Sequence, residues 1–119
     1  MQAIDSTASS QSEDFRANAE AMDAHITTFR DVEQKVLDLA EAAREKFTKR
    51  GKLLPRDRIN RLLDRGTPFL ELCSLAGYKM HDDKDGSQAG GGIIAGLGYV
   101  SGNRCLVVAS NSAIKGGTI

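Results

Sequence analysis

The sequence predicts an α/β fold in which a helical first half precedes a set of strands. Residues 13–65 are highly charged and place apolar side chains at helical spacing, whereas residues 66–119 hold most of the glycines and nearly all the apolar runs of β type. A turn signal separates two of those runs, as in a β-hairpin. We therefore expect a flexible leader over residues 1–12, a helical segment over 13–65 and the start of a further domain over 66–119.

The helical segment carries one apolar stripe, interrupted by a phase slip near Asp31. On both sides of the slip, apolar residues step mostly by four and three, which places them on one face of a helix. Asp31 and Gln34 have the spacing of a capping box, so two consecutive helices fit this region as well as one kinked helix. Ser10 and Glu13 form a similar start signal for the first helix. The stripe comprises Phe15, Ala19, Met22, Ile26 and Phe29, then Val32, Val36, Leu39, Ala43 and Phe47.

A third, shorter helix is expected after Leu54. Pro55 suits a first helical position, because its ring presets φ and the first N–H of a helix has no internal partner. Gly66 is typical of the residue that ends a helix. The apolar face of this helix is formed by Ile59, Leu62 and Leu63, and its other sides carry Arg56, Arg58, Arg61 and Arg65.

The strands are expected in the last zone. Residues 69–72 form a short run typical of an edge strand, and a longer apolar run follows over residues 93–100. The turn signal Ser101-Gly102-Asn103 leads from that run into residues 105–109. Because residues 105–109 are continuously apolar, we expect this strand to be covered on both faces, with additional chain supplying one of the covers.

Composition excludes several functional classes. The chain has 119 residues, 40% of them hydrophobic and 5% aromatic, which suits one small domain or part of a larger one. Sixteen basic and sixteen acidic residues cancel, so no charge excess indicates a nucleic-acid partner. No apolar run reaches the roughly 20 residues of a membrane helix. The first residues show neither a secretion nor a transit pattern and the two cysteines are expected as thiols, which predicts a cytoplasmic location.

Several motif-like segments have simpler structural explanations. Residues 96–102 contain glycines but lack the spacing of a dinucleotide-binding loop, so a twisted strand with close packing is expected. Residues 81–86 resemble part of a calcium loop but place Gly92 where a bidentate Glu is needed, which favours a solvated loop. The two histidines have no partners at zinc spacing, and no nucleophile–base pair is recognisable. No metal site is expected.

Two segments leave a structural and a functional interpretation open. The basic residues 50–59 form either a linker that caps a helix or a cationic surface for a polyphosphate such as that of coenzyme A. Residues 110–117 place Lys115 and two glycines directly after an apolar run. They form either a turn after a strand or a nest of backbone N–H donors beside an anionic ligand.

In combination, these segments resemble the carboxyltransferase (β) subunits of biotin-dependent acyl-CoA carboxylases. The resemblance extends over residues 13–119, the first part of a much longer family chain, and its Lys-Gly-Gly-Thr form at 115–118 is typical of methylcrotonyl-CoA and geranyl-CoA carboxylases. The long stretch 77–88 and residues 110–114 favour the geranyl-CoA type. The matching segments are residues 50–59, 62–64, 68–72, 91–98, 100–102 and 115–118.

This resemblance implies a crotonase-like fold of repeated ββα units wound into a superhelix, with residues 66–119 at the start of its N-terminal carboxyltransferase domain. It implies transfer of CO2 from carboxybiotin to the γ carbon of geranyl-CoA or 3-methylcrotonyl-CoA, with biotin carried on a partner α subunit. A homo-oligomer of β subunits is also implied. No catalytic side chain is assigned, and the 119 residues alone are expected to be inactive because the biotin-side domain is absent. The acyl-CoA side is expected at Ala113, Ile114, Lys115, Gly116 and Gly117.

Two other functional classes compete with this interpretation. A coiled-coil interaction module over residues 13–49 is supported by the heptad-like rhythm, but the phase slip and the weak apolar seam oppose it. A crotonase-type enoyl-CoA hydratase would share the fold, but the long helical segment before the first strand disfavours it.

Overall fold

The computed structural model describes residue 6 and residues 8–117, so most of the expected leader lies outside the described residues. Helices and an antiparallel sheet are both present, which confirms the α/β class. No helix in the described part of the chain is long and apolar enough to cross a membrane. The elements are α1 (Glu13–Ala42), α2 (Arg44–Thr48), α3 (Pro55–Leu62), β1 (Leu70–Leu72), β2 (Ile93–Val100), β3 (Asn103–Ser110) and a 3₁₀ turn (Lys115–Gly117).

Helix α1 begins and continues differently from the sequence expectation. Ser12 caps it, because the Ser12 hydroxyl accepts a hydrogen bond from the N–H of Phe15 at 3.2 Å. The predicted helix start at Ser10 is wrong, since Ser10 lies in the turn before the helix. The capping box at Asp31 is also wrong. Asp31 lies inside α1, and the side-chain amide of Gln34 donates to Asp38 at 2.8 Å.

The chain forms two compact units, which divide between Asp31 and Val32. In the first unit, the apolar side chains of α1 are exposed, with relative accessibilities between 38% and 57%. The second unit contains the rest of α1, all other elements and both hydrophobic clusters. The exposed side chains of the first unit are Phe15, Met22, Ile26 and Phe29.

The sheet is an antiparallel meander in the order β1-β2-β3. Ser101 and Gly102 connect β2 to β3, and both have positive φ, 50° and 77°, as a two-residue hairpin turn of type I′ requires. The carboxylate of Asp64 accepts hydrogen bonds from both of these N–H groups, at 2.8 and 2.7 Å. The N–H of Asp64 in turn donates to the Tyr99 carbonyl at 2.8 Å. Asp64 therefore holds the segment after α3 against the tip of the hairpin.

Helix α3 ends earlier than expected. Its start at Pro55 is confirmed, but its last residue is Leu62, and Leu63 is already extended with a ψ of 148°. The expected end at Gly66 is therefore wrong, and Gly66 lies in the following turn with a φ of 77°. The physical reason is tertiary, because leaving the helix lets Leu63 enter the core and brings Asp64 to the hairpin.

The inner face of the sheet, defined as the side toward α3, forms one hydrophobic cluster. A Cβ on Gly98 would lie 2.5 Å from Leu63 Cδ2, and a Cβ on Gly96 would lie 2.7 Å from the Leu70 carbonyl oxygen. These contacts confirm that the strand glycines permit close packing. The buried members of the cluster are Ile59, Leu63, Ile94 and Val107.

The outer face of the sheet, on the opposite side, is apolar and uncovered in this chain. On β3, Val107 is buried, whereas Leu106 and Val108 on either side of it are 63% and 59% exposed. The described chain thus supplies one of the two covers expected for residues 105–109, and the expected second cover from additional chain stays a prediction. Successive side chains of a strand point to opposite faces, and α3 covers only one of them.

The loop between β1 and β2 is organised around a buried carboxylate. Asp83 is 5% exposed, and its two oxygens accept hydrogen bonds from the N–H groups of Lys79 and Gln88 at 2.9 and 2.8 Å. The expectation of a solvated loop over residues 81–86 is therefore wrong at Asp83, because the side chain satisfies backbone donors of its own loop.

Candidate functional site

The segment that follows β3 folds into consecutive tight turns. The N–H of Asn111 donates to the Gly92 carbonyl, the N–H of Ile114 to the Asn111 carbonyl at 3.1 Å, and the N–H of Gly117 to the Ile114 carbonyl at 3.0 Å. Ile114 is 4% exposed and anchors the segment in the second hydrophobic cluster. The other buried members of that cluster are Val36, Ala40 and Ala89.

The two glycines of this segment are required by its backbone. Gly116 and Gly117 have φ values of 66° and 81°, which other residues adopt at a cost. A Cβ on Gly117 would also lie 3.3 Å from Ser112 Cα, whereas the space around Gly116 is open within 4 Å. The N–H groups of Ile114 and Gly117 are already bonded to carbonyls. A nest of backbone donors at this position would therefore depend on the remaining N–H groups.

A cavity of about 380 Å³ opens beside the segment, between the C-terminal part of α1, the start of α3 and the residues after β3. Of the predicted site residues, Ala113 lines this cavity, while Ile114 lies in the hydrophobic cluster and the glycines lie in the turn. The structure thus brings the 50–59 segment and the 110–117 segment to one cavity. Its polar lining includes Gln34, Arg44, Arg56, Asp57, Asn60 and Asn111.

Asn111 is a lining residue of the 110–117 segment to which the sequence assigned no separate role. It is 2% exposed, and its Oδ1 is buried with no hydrogen-bond partner among the described residues. A buried acceptor without a partner costs about 1–3 kcal/mol. A donor group of a ligand in the adjacent cavity would remove that cost. The sequence signal of this acceptor is an Asn directly after an apolar strand, which is equally typical of a turn.

Arg44 joins the C-terminal end of α1 to α3. Its guanidinium donates to both carboxylate oxygens of Asp57, at 2.7 and 3.1 Å, and to the carboxylate of Glu41. Hydrogen bonds from Arg44 hold the pKa of Asp57 and the pKa of Glu41 below their ordinary values. The charge of Arg44 is therefore matched by two carboxylates and is not free to attract an anion.

Asp57→Asn is expected to make the free energy of unfolding depend less on pH in the acid range. Because the folded-state pKa of Asp57 is lowered, its ion pair with Arg44 stabilises the fold above the unfolded-state pKa. That contribution disappears as pH falls through the folded-state pKa, so the wild-type protein should lose more stability than the variant below about pH 4. Urea unfolding at a series of pH values measures the difference. Asp82→Asn, the same change at an exposed loop position, is the matched control. An equal loss of unfolding free energy at acid pH in wild type and Asp57→Asn would contradict the expectation.

Arg56 forms a second ion pair, with Glu71 of β1. Two N–H groups of Arg56 reach the two carboxylate oxygens at 2.6 and 2.8 Å, and the side chains are 27% and 23% exposed. Its Nε is buried with no partner among the described residues. The cationic surface that the sequence suggests over residues 50–59 would therefore depend on Arg50, Lys52 and Arg58, which are exposed.

Comparison with known proteins identifies the family. Residues 46–119 match the carboxyl transferase domain. The crystal structure of the geranyl-CoA carboxylase β subunit from P. aeruginosa superposes with a TM-score of 0.83 and is 63% identical in sequence. That match covers 99% of this chain and 22% of the other chain.

Two curated relatives agree with this result. A probable mitochondrial methylcrotonoyl-CoA carboxylase β chain from Drosophila melanogaster is 43% identical over 109 residues, which cover 91% of this chain and 18% of the relative. The β1 subunit of the biotin-dependent 3-methylcrotonyl-coenzyme A carboxylase from Mycobacterium tuberculosis is 53% identical over 78 residues, covering 66% of this chain and 14% of the relative. This chain spans about a fifth of the length of its relatives. The matches confirm the resemblance seen in the sequence, and the chain belongs to the carboxyl transferase domain family.

Proposed function

We propose that this chain is part of the β subunit of a biotin-dependent acyl-CoA carboxylase. The observation that carries the proposal is the 63% identity to the geranyl-CoA carboxylase β subunit over 99% of the chain. The substrate class is a branched unsaturated acyl-CoA, geranyl-CoA or 3-methylcrotonyl-CoA, carboxylated at its γ carbon. Carboxybiotin, carried by a partner α subunit, supplies the carboxyl group, and no residue of this chain is assigned to it.

The finer architecture belongs to the same proposal. The β2–β3 hairpin would form the two strands of one ββα unit in a crotonase-like superhelix, and β subunits would associate as a homo-oligomer. The proposed domain organisation is a helical segment over residues 13–65, followed by a carboxyltransferase domain that starts at residue 66. A cytoplasmic location stays a prediction. The name of the Drosophila relative places that protein in mitochondria.

The role proposed for this chain is to bind and orient the acyl-CoA through residues 113–117 and the adjoining cavity. Ala113 lines the cavity, and Lys115 is the only cation in the sequence from 110 to 117. Three side chains of the lining fit the pantetheine part of this ligand. The side-chain amides of Gln34, Asn60 and Asn111 both donate and accept hydrogen bonds, as the amides of a pantetheine arm require.

Lys115→Ala in the intact carboxylase tests this assignment. Loss of one charge beside an anionic ligand is expected to raise the KM for acyl-CoA by up to about fivefold, since a solvent-accessible ion pair contributes at most about 1 kcal/mol. The value of kcat should change less, because the lost interaction is made equally in the ground state and the transition state. Steady-state kinetics with acyl-CoA and with carboxybiotin as varied substrates measure both effects.

The control for this test is Lys84→Ala, the same change at an exposed loop position. It should leave both KM values unchanged. An unchanged acyl-CoA KM in Lys115→Ala, or damage to the biotin side instead, would show that residues 113–117 are only a turn.

A further inference from the structure

Asp64 uses both its side chain and its backbone to join the end of α3 to the β2–β3 hairpin. Its two carboxylate oxygens accept hydrogen bonds from the N–H groups of Ser101 and Gly102, at 2.8 and 2.7 Å. Its N–H donates to the Tyr99 carbonyl at 2.8 Å, and its carbonyl accepts from the Thr67 hydroxyl at 2.8 Å. A carboxylate that accepts from a backbone N–H forms a charge-assisted bond, which is stronger than a bond between neutral groups. The segment after α3 is therefore firmly fixed to the hairpin.

The start of α3 is also bonded to the sheet. Arg56 donates to both carboxylate oxygens of Glu71 on β1, at 2.6 and 2.8 Å. Between the two bonded ends, Ile59 and Leu63 belong to the hydrophobic cluster of the inner face. Apolar burial has no preferred direction, so it does not by itself fix the position of a helix along a sheet. The polar contacts at the two ends of α3 supply that restraint.

Helix α3 and strand β3 both extend from the hairpin to the cavity. The first half of α3 lines the cavity with residues that include Arg56 and Asn60. Strand β3 begins next to the hairpin turn and ends at Ser110, and Asn111 and Ala113 line the cavity just beyond it. The position of α3 along β3 therefore sets the distance between two walls of the cavity. Misplacement of a binding group by about 1 Å, less than the rise of one helical residue, is enough to impair an active site.

We propose that Asp64 is a positioning residue for the acyl-CoA site. Asp64 itself lies at the hairpin, away from the described lining of the cavity, and acts by holding α3 and β3 in a fixed relation. The inference rests on the proposed function, because acyl-CoA is assigned to the cavity only there.

Asp64→Asn in the intact carboxylase tests the proposal. The substitution replaces one carboxylate oxygen by an NH2 group, which cannot accept the N–H that faces it. The KM for acyl-CoA is expected to rise about two- to tenfold, the range found for residues that affect a site without touching its ligand. The values of kcat and of the KM for carboxybiotin should change less, because acyl-CoA binding is the step affected. Hydrogen exchange at Ser101 and Gly102 should become faster, which reports the loss of the bond.

Asp85→Asn is the matched control. The Asp85 carboxylate also accepts a backbone N–H, that of Ser87 at 3.0 Å, but within its own exposed loop. It should leave both KM values unchanged. An unchanged acyl-CoA KM in Asp64→Asn, together with faster exchange in the hairpin, would restrict Asp64 to a structural role and overturn the proposal. An equal rise of both KM values would show a general distortion of the enzyme and would overturn it as well.

Thr67→Val is the second variant, in case Asp64→Asn fails to fold as judged by circular dichroism. It keeps the β-branched shape and removes the hydroxyl that donates to the Asp64 carbonyl. The acyl-CoA KM should rise by a smaller factor, and an unchanged value overturns the proposal.

Lys115→Ala separates this inference from the proposed function. A raised acyl-CoA KM in Lys115→Ala, with an unchanged value in Asp64→Asn, rejects only the role of Asp64. An unchanged value in both variants rejects the acyl-CoA site itself and the role of Asp64 with it.

Discussion

Ile94→Ala is expected to lower the free energy of unfolding by about 2–5 kcal/mol. Ile94 is 1% exposed on the inner face, where it packs with Ile59, Leu63 and Val107. Truncation removes apolar contacts and leaves a cavity between α3 and β2, which a three-stranded sheet held by one helix has little means to close. Urea unfolding followed by circular dichroism measures the loss as a lower transition midpoint.

Ile93→Ala is the matched control, because the same side chain is removed from the adjacent residue. Ile93 lies on the outer face and is 37% exposed, so its truncation should cost less than about 1 kcal/mol in this chain. Equal costs for the two variants would contradict the assignment of the two faces.

Gly96→Ala is expected to cost about 1–3 kcal/mol, through overpacking. The added Cβ would lie 2.7 Å from the Leu70 carbonyl oxygen and would also meet the ring of Phe69. The carbonyl belongs to the backbone of the neighbouring strand, so it cannot turn aside as a flexible side chain would. Relief requires β1 to move away from β2, at the point where Glu71 is paired with Gly96. Faster hydrogen exchange in β1, together with a lower urea midpoint, is the expected signature.

Gly66→Ala separates this packing effect from the general cost of replacing a glycine. Gly66 has a φ of 77° but no atom within 4 Å of an added Cβ. Its substitution should therefore cost about 1–2 kcal/mol from backbone conformation alone and leave exchange in β1 unchanged. A Gly96→Ala protein as stable as wild type, with normal exchange in β1, would show that the sheet accommodates the methyl group.

Local chemistry made several elements of this protein predictable. Pro55 begins α3 because its ring suits the first helical turn, where no N–H partner is lost. Ser101 and Gly102 form a hairpin turn because both positions require positive φ. The close packing at Gly96 followed from a glycine inside an apolar strand. Each of these outcomes depends on a residue and its immediate neighbours, which the sequence shows directly.

The family was also predictable, because several segments of the carboxyl transferase domain occur in order along the chain. The residues proposed for the acyl-CoA side came from that resemblance, and they remain a proposal. Asn111 was not predictable in the same way. Its buried, unpartnered acceptor lies beside a cavity that forms only when α1, α3 and the segment after β3 pack together.

The sequence by itself determined that a helical half precedes the strands and to which family the chain belongs, because periodicity, turn residues and motif order are properties of neighbouring positions. The tertiary structure alone decided that α3 covers one face of β3 and not the other. It also decided that Arg44 bonds to Asp57 and Arg56 to Glu71, which lie 13 and 15 residues further along the chain. No local pattern specifies such partners, since they meet only when separate elements pack. The sequence therefore showed cations at 50–59 that could serve a ligand, and packing showed that one of them, Arg56, is already engaged by a carboxylate.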